Sequence, residues 1–155
     1  VIVLDSNLWV FGTLETNARA ERLLDEIETG ATTSALSAYM PEEILSAFDR
    51  VPGLSGAERD QLVTAFCRRL SLMDGLVEAP SQRDVTDQLL EETRTATQTE
   101  LLSAVLDVEA KDVPILVLAY RHASREPAVL TNDESFARLD PVEKGISALE
   151  VEYVG

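Results

Sequence analysis

The chain has 155 residues, 45% of them hydrophobic, enough for one compact domain with a sizeable core. Acids outnumber bases 28 to 13, leaving a net charge of −15 that argues against a broadly basic nucleic-acid surface. The single cysteine, Cys67, rules out an intrachain disulfide, and the single histidine, His122, rules out a multi-histidine metal site or weakens any triad.

Strand and helix signals alternate from the start, which argues for a layered α/β fold. "VIVLD" reads as a buried strand ending on Asp5. "NARAERLLDEIETG" reads as a helix with Ala20, Leu23, Leu24 and Ile27 on one face and Gly30 as its stop. "ATTSALS" supplies a short second strand. "YMPEEILSAF" starts a helix, with Pro41 suited to its first position. "SGAERDQLVTAFCRRLSLM" is a helix opened by a Ser55–Glu58 capping box, with Leu62, Ala65, Phe66 and Leu70 facing the core. Cys67 on this helix is expected as a small core residue. "LVEA" makes a third strand.

From Asp84 to about Val108 the pattern is helical, with a break expected in the Thr-rich "TRTATQT". "DVPILVLAYRHA" is a mostly apolar, buried helix; "AVLT" is a fourth strand; the alternating "LEVEYV" is a fifth at an edge. There is no internal repeat, linker or low-complexity stretch, so one domain over 1–155 is expected. No apolar run approaches membrane-spanning length and no signal peptide precedes the first strand, so a cytoplasmic protein off the membrane is expected.

Four acids stand where chemistry is expected. In a parallel α/β sheet, ligands bind beyond the carboxyl ends of the strands, at the point where strand order reverses. Asp5 ends the first strand and Asp133 follows the fourth, so neighbouring strands would aim both into one crevice. Glu43 lies in the first turn of one helix and Asp112 opens another. Each also has a plain structural explanation. Asp5 and Asp133 suit turns, Glu42 and Glu43 suit a helix dipole, and Asp112 suits an N-cap. Asp107 and Glu109 read as solvated acids near a helix end. Gathered together, four carboxylates repel one another unless a cation neutralises them. Oxygen-only donors favour Mg²⁺ or Mn²⁺ over zinc.

"VLDSNLWV", "PEEILSAF", "AKDVPILVLAY" and "VLTNDESFARL", in this order, resemble the motifs of PIN domains, and the likeness runs from Val1 to about Val151. The resemblance implies a three-layer α/β/α fold around a parallel sheet of about five strands in the order 3-2-1-4-5. It implies a divalent-metal-dependent endoribonuclease, as in VapC-like toxins of toxin–antitoxin pairs. The implied partners are an RNA substrate, an antitoxin protein and a second copy of the chain. Asp5, Glu43, Asp112 and Asp133 match the family's acids, and Asn7 and Thr131 match polar positions beside them. Asn132 is a further polar candidate. Glu42 competes with Glu43 for register, and Glu134 for a place near the metal. On this reading Asp5 and Asp112 or Asp133 hold the ion, and Glu43 holds a second ion or orients the attacking water.

The scarcity of lysine (only Lys111 and Lys144, against eleven arginines) resembles the proteins of salt-accumulating, halophilic archaea. An ordinary acidic protein is the plain alternative. Arg121, His122 and Arg125 are candidates for phosphate contacts, with a cationic helix C-terminus as their plain reading. The competing function is a catalytically silent PIN-like module that binds RNA or protein in regulation.

Overall fold

A computed structural model describes residues 1–80 and 94–155. Strands β1 (Ile2–Leu4), β2 (Ser34–Ala35), β3 (Leu76–Glu78), β4 (Ala128–Thr131) and β5 (Glu150–Tyr153) form one sheet in the order β3-β2-β1-β4-β5. Every pairing is parallel. Central β1 aligns Ile2 with Ser34 on one side and Leu4 with Leu130 on the other. Val3 and Leu4 are wholly buried, as a strand covered on both faces requires.

Helices cover both faces. They are α1 (Ser6–Thr13), α2 (Ala18–Glu28), α3 (Tyr39–Asp49), α4 (Gly56–Ser71), α5 (Thr97–Leu106), α6 (Val113–Arg121) and the single turn α7 (Glu134–Ala137). Helix α1 packs on α2, α3 and α4, while α6 packs on β1 and β4. At Gly12 a Cβ would meet Leu24 Cγ at 2.9 Å and the backbone Ala20 O at 3.0 Å, so glycine suits this close approach of α1 and α2. That contact fixes the helix leading away from Asp5.

Helix α1 is the element that periodicity does not reveal. Leu8, Trp9 and Val10 are all buried, so "SNLWVFGT" has no polar face to mark a period. Helix α2 behaves as its stripe predicts: Ala20, Leu24 and Ile27 are buried, and Gly30 follows the end with φ +73°. Helix α3 begins at Tyr39, so Pro41 occupies its third position rather than its first. This costs no hydrogen bond, because first-turn N–H groups have no helical partner.

Helix α4 carries the expected capping box, with Glu58 N–H donating to Ser55 Oγ and Ser55 N–H to Glu58 Oε2. Phe66 is its anchor, packed edge-on against Trp9 and Phe48 at 6.3 and 5.9 Å between ring centroids. The expected face is corrected at two places. Ala65 is exposed, with Val63 packed on the core instead, and Cys67 is exposed rather than a core residue. The break in "TRTATQT" falls at Ala96, which is extended (ψ 135°) before α5 begins. The part of that helical expectation before residue 94 lies outside the described residues. Among the described residues no helix is long and apolar enough to cross a membrane.

Candidate metal centre

Strand order reverses between β1 and β4. The chain runs β1, β2, β3 toward one edge, then β4 and β5 toward the other. Asp5 sits at that point. Its N–H donates to Leu130 O at 2.8 Å, holding it against the end of β4. Thr131 Oγ1 donates to Asp5 Oδ2 at 2.6 Å, and the same oxygen accepts from Asp133 N at 3.0 Å. One buried hydroxyl thus ties the acid after β1 to the acid after β4. Burial raises the Asp5 carboxyl above its ordinary value; the Thr131 bond opposes this and the charge of Glu43 adds to it.

Glu43 reaches the same place from α3 and is 8% exposed. Ser6 Oγ donates to its Oε2, and Arg94 Nη2 donates to its Oε1 at 2.8 Å. Arg94 Nε also donates to the hydroxyl of Tyr39 at 2.9 Å. That hydroxyl lies 3.3 Å from Lys111 O, to which it donates. Tyr39 stands four residues before Glu43, on the same helix face. Glu42 is buried too, but Glu43 is the acid that lines a cavity with Asp5.

Asp112 occupies the N-cap position of α6 and makes no capping bond. Its carboxyl is buried, and burial, then the nearby charge of Asp5, lifts it to about 7. Asp133 behaves oppositely. Its Oδ1 accepts from Ser135 N (2.8 Å), Ser135 Oγ (2.6 Å) and Phe136 N (3.3 Å), so it caps α7 where the plain expectation was a turn residue. The Ser135 side-chain bond leads in drawing its carboxyl below the ordinary range. Its Oδ2 lies 3.7 Å from Lys111 Nζ, which also pairs with Glu109 at 3.3 Å.

Three of the four acids divide between two adjoining cavities, and Asp133 lines neither. Asp5 and Glu43 line one of about 490 Å³; Asp112 lines one of about 290 Å³; Glu109 borders both. Asn7 lines the larger and its N–H bonds Asp5. Asn132 Oδ1 is buried without a hydrogen-bond partner. Glu134 is exposed and lines neither cavity. Arg121 and His122 are spoken for: Arg121 Nη2 lies 2.9 Å from Glu78 Oε1, and His122 Nε2 lies 2.8 Å from Glu78 Oε2.

Against known proteins the chain stands apart. No family model, curated protein or solved structure matches it. The site is therefore weighed on its own chemistry. Among the described residues no three His, Cys, Asp or Glu side chains converge as a ready ligand set. Two buried carboxylates are raised, Asp5 by burial and Glu43, and Asp112 by burial and Asp5. Such a pair fits Mg²⁺, which takes one or two carboxylates and keeps several waters.

Ser6, Tyr39, Arg50, Arg94 and Lys111 were not singled out by sequence reasoning as part of this site. Ser6 and Lys111 had a signal, each adjoining a candidate acid in "LDSN" and "AKD". Tyr39 had helical spacing to Glu43. Arg94 had none, because nothing in the local sequence marks it as a partner of Glu43, 51 residues earlier.

Proposed function

We propose that this protein is a divalent-metal-dependent ribonuclease of PIN-like type. The observation that carries the reading is buried Asp5 where strand order reverses, raised by burial and Glu43 and in turn raising buried Asp112. Two carboxylates that resist ionisation together are relieved by a cation. Asp5 and Asp112 would hold the ion. Bound Mg²⁺ or Mn²⁺ supplies Lewis-acid polarisation of a phosphate and lowers the pKa of an attacking water.

The chain's own residues do the rest. Thr131 holds one oxygen of Asp5, whose residue lines the crevice. Glu43, gripped by Ser6 and Arg94, keeps unused lone pairs that can accept a proton from water approaching the phosphate. Asp133 fixes α7 and draws Lys111 toward the acids. A toxin role, with an antitoxin partner and a homodimer, is the narrower form of this proposal.

The second reading is a silent RNA- or protein-binding module. It is favoured by the lack, among the described residues, of a converged set of three acids. Cleavage of labelled single-stranded RNA at high KCl separates the two. Cutting with Mn²⁺ or Mg²⁺, none with chelator, and none by folded Asp5→Asn protein is expected. Undiminished cutting by Asp5→Asn protein overturns the assignment, and no cutting by the wild type favours the silent module.

A further inference from the structure

The larger cavity departs from the charge balance of the chain. Overall there are 28 acids to 13 bases. Among the described residues its lining instead has three of each: Asp5, Glu43 and Glu109 against Arg50, Arg94 and Lys111. In a molecule of net charge −15, that local balance lessens the repulsion an anion meets at this mouth.

The three cations are not consumed by the acids beside them. Arg50 is exposed and makes no ion pair among the described residues. Arg94 spends its Nε–H on Tyr39 and one Nη2–H on Glu43. A guanidinium has five N–H donors, so three are not spent on the described residues, on a side chain that is 34% exposed. Lys111 sits at 3.3 and 3.7 Å from Glu109 and Asp133, loose pairs that leave ammonium donors to spare.

From these observations we infer that Arg50, Arg94 and Lys111 bind backbone phosphates of a single nucleic-acid strand across the mouth of the Asp5–Glu43 cavity. Tyr39 and Glu43 are the positioning residues for Arg94. They hold one edge of the guanidinium by two directed bonds and leave the other edge for a phosphate, for which its planar fork is suited. The inference rests on the nucleic-acid reading of this crevice and supplies what the chain's acidity otherwise denies it: a local patch of cations that an anionic strand can reach.

The test is binding of a fluorescent single-stranded RNA of mixed sequence, followed by anisotropy over a KCl series in chelator. Chelator separates binding from metal-dependent cutting. Arg50→Ala, Arg94→Ala and Lys111→Ala should each weaken binding about tenfold. Each should also lessen the slope of log K against log salt by about 0.7, the value for one phosphate contact on a single strand. Arg68→Ala, on the exposed side of α4, should leave both unchanged. Arg94→Lys keeps the charge but not the fork, and should weaken binding while keeping the slope; it also guards against misfolding of Arg94→Ala, and melting curves check all variants.

Equal binding by wild type and all three alanine variants, or no binding by wild type, overturns the inference. Complete competition by inorganic phosphate, with no preference for the strand, overturns it in favour of a small-anion site. Strand binding through these cations without any metal-dependent cutting sinks the ribonuclease proposal and leaves this one standing. Cutting that ignores all three substitutions does the reverse.

Discussion

Thr131 donates its hydroxyl hydrogen to Oδ2 of Asp5 over 2.6 Å and accepts from the backbone N–H of Asp133 over 3.0 Å. A single buried side chain at the end of β4 therefore sets the orientation of the acid after β1 and the path of the chain into α7. Thr131→Val keeps the shape and removes both bonds. The carboxylate of Asp5 would be left buried with one fewer donor. Hydrogen bonds to charged groups contribute about 1.5–3 kcal/mol, so a stability loss of that order is expected in urea unfolding. The carboxyl of Asp5 should rise further, since its principal lowering contact is gone. An unchanged unfolding midpoint would show that the bond does not matter to the fold.

The pH dependence of stability follows from Asp112. Its carboxyl has an ordinary value of 3.8 and is lifted to about 7 by burial and by Asp5. In the unfolded chain the proton leaves near pH 4. In the fold it stays until about pH 7. Through that window the native state holds more protons than the unfolded one, so stability falls as pH rises. Asp5, also raised, acts in the same sense. Asp133 is lowered and acts oppositely, with its contribution lost only as pH falls below the ordinary carboxylate range. Melting in chelator should show Tm declining from about pH 4 to about pH 7, and Asp112→Asn should flatten that decline. Mn²⁺ at higher pH should restore Tm in the wild type but not in Asp112→Asn, because a ligand of the native state stabilises it. A pH profile identical in the two proteins would remove Asp112 from the site.

Salt provides an independent check on the charge excess. A net charge of −15 on a chain of this size repels itself, and the Debye length shrinks from about 10 Å at 0.1 M to about 3 Å at 1 M salt. Tm should climb markedly between dilute and molar KCl if the chain is built for a salty interior. A Tm that stays level over that range would mark an ordinary acidic protein whose ion pairs, such as Arg69 with Glu28, offset the repulsion they would otherwise lose to screening.

Much of the architecture was legible because local signals and burial agree. "VIVL" and "AVLT" read as buried strands and form neighbours at the centre of the sheet. The Ser55–Glu58 box and the stop at Gly30 appear where residue chemistry puts them. Helix α1 was illegible for the opposite reason: a helix buried on nearly every side has no polar face to give it a period.

The candidate site divides along the same line. Sequence alone singled out Asp5, Asp112 and Asp133, because an acid after an apolar strand or before an apolar helix is conspicuous in one dimension, and Glu43 through its place early in a helix and the resemblance to PIN motifs. It could not tell their environments apart. Asp133 is a satisfied helix cap, while Asp112, in the same kind of position, caps nothing and is raised. Nor could it bring Arg94 to Glu43 across 51 residues or join Thr131 to Asp5 across 126. Residue type and order are enough to determine strands, helices and candidate acids, since those depend on neighbours a few positions away. Burial, the partner of each carboxylate and the balance of charge around a cavity depend on which distant segments the parallel sheet sets side by side, and only the tertiary structure decides that.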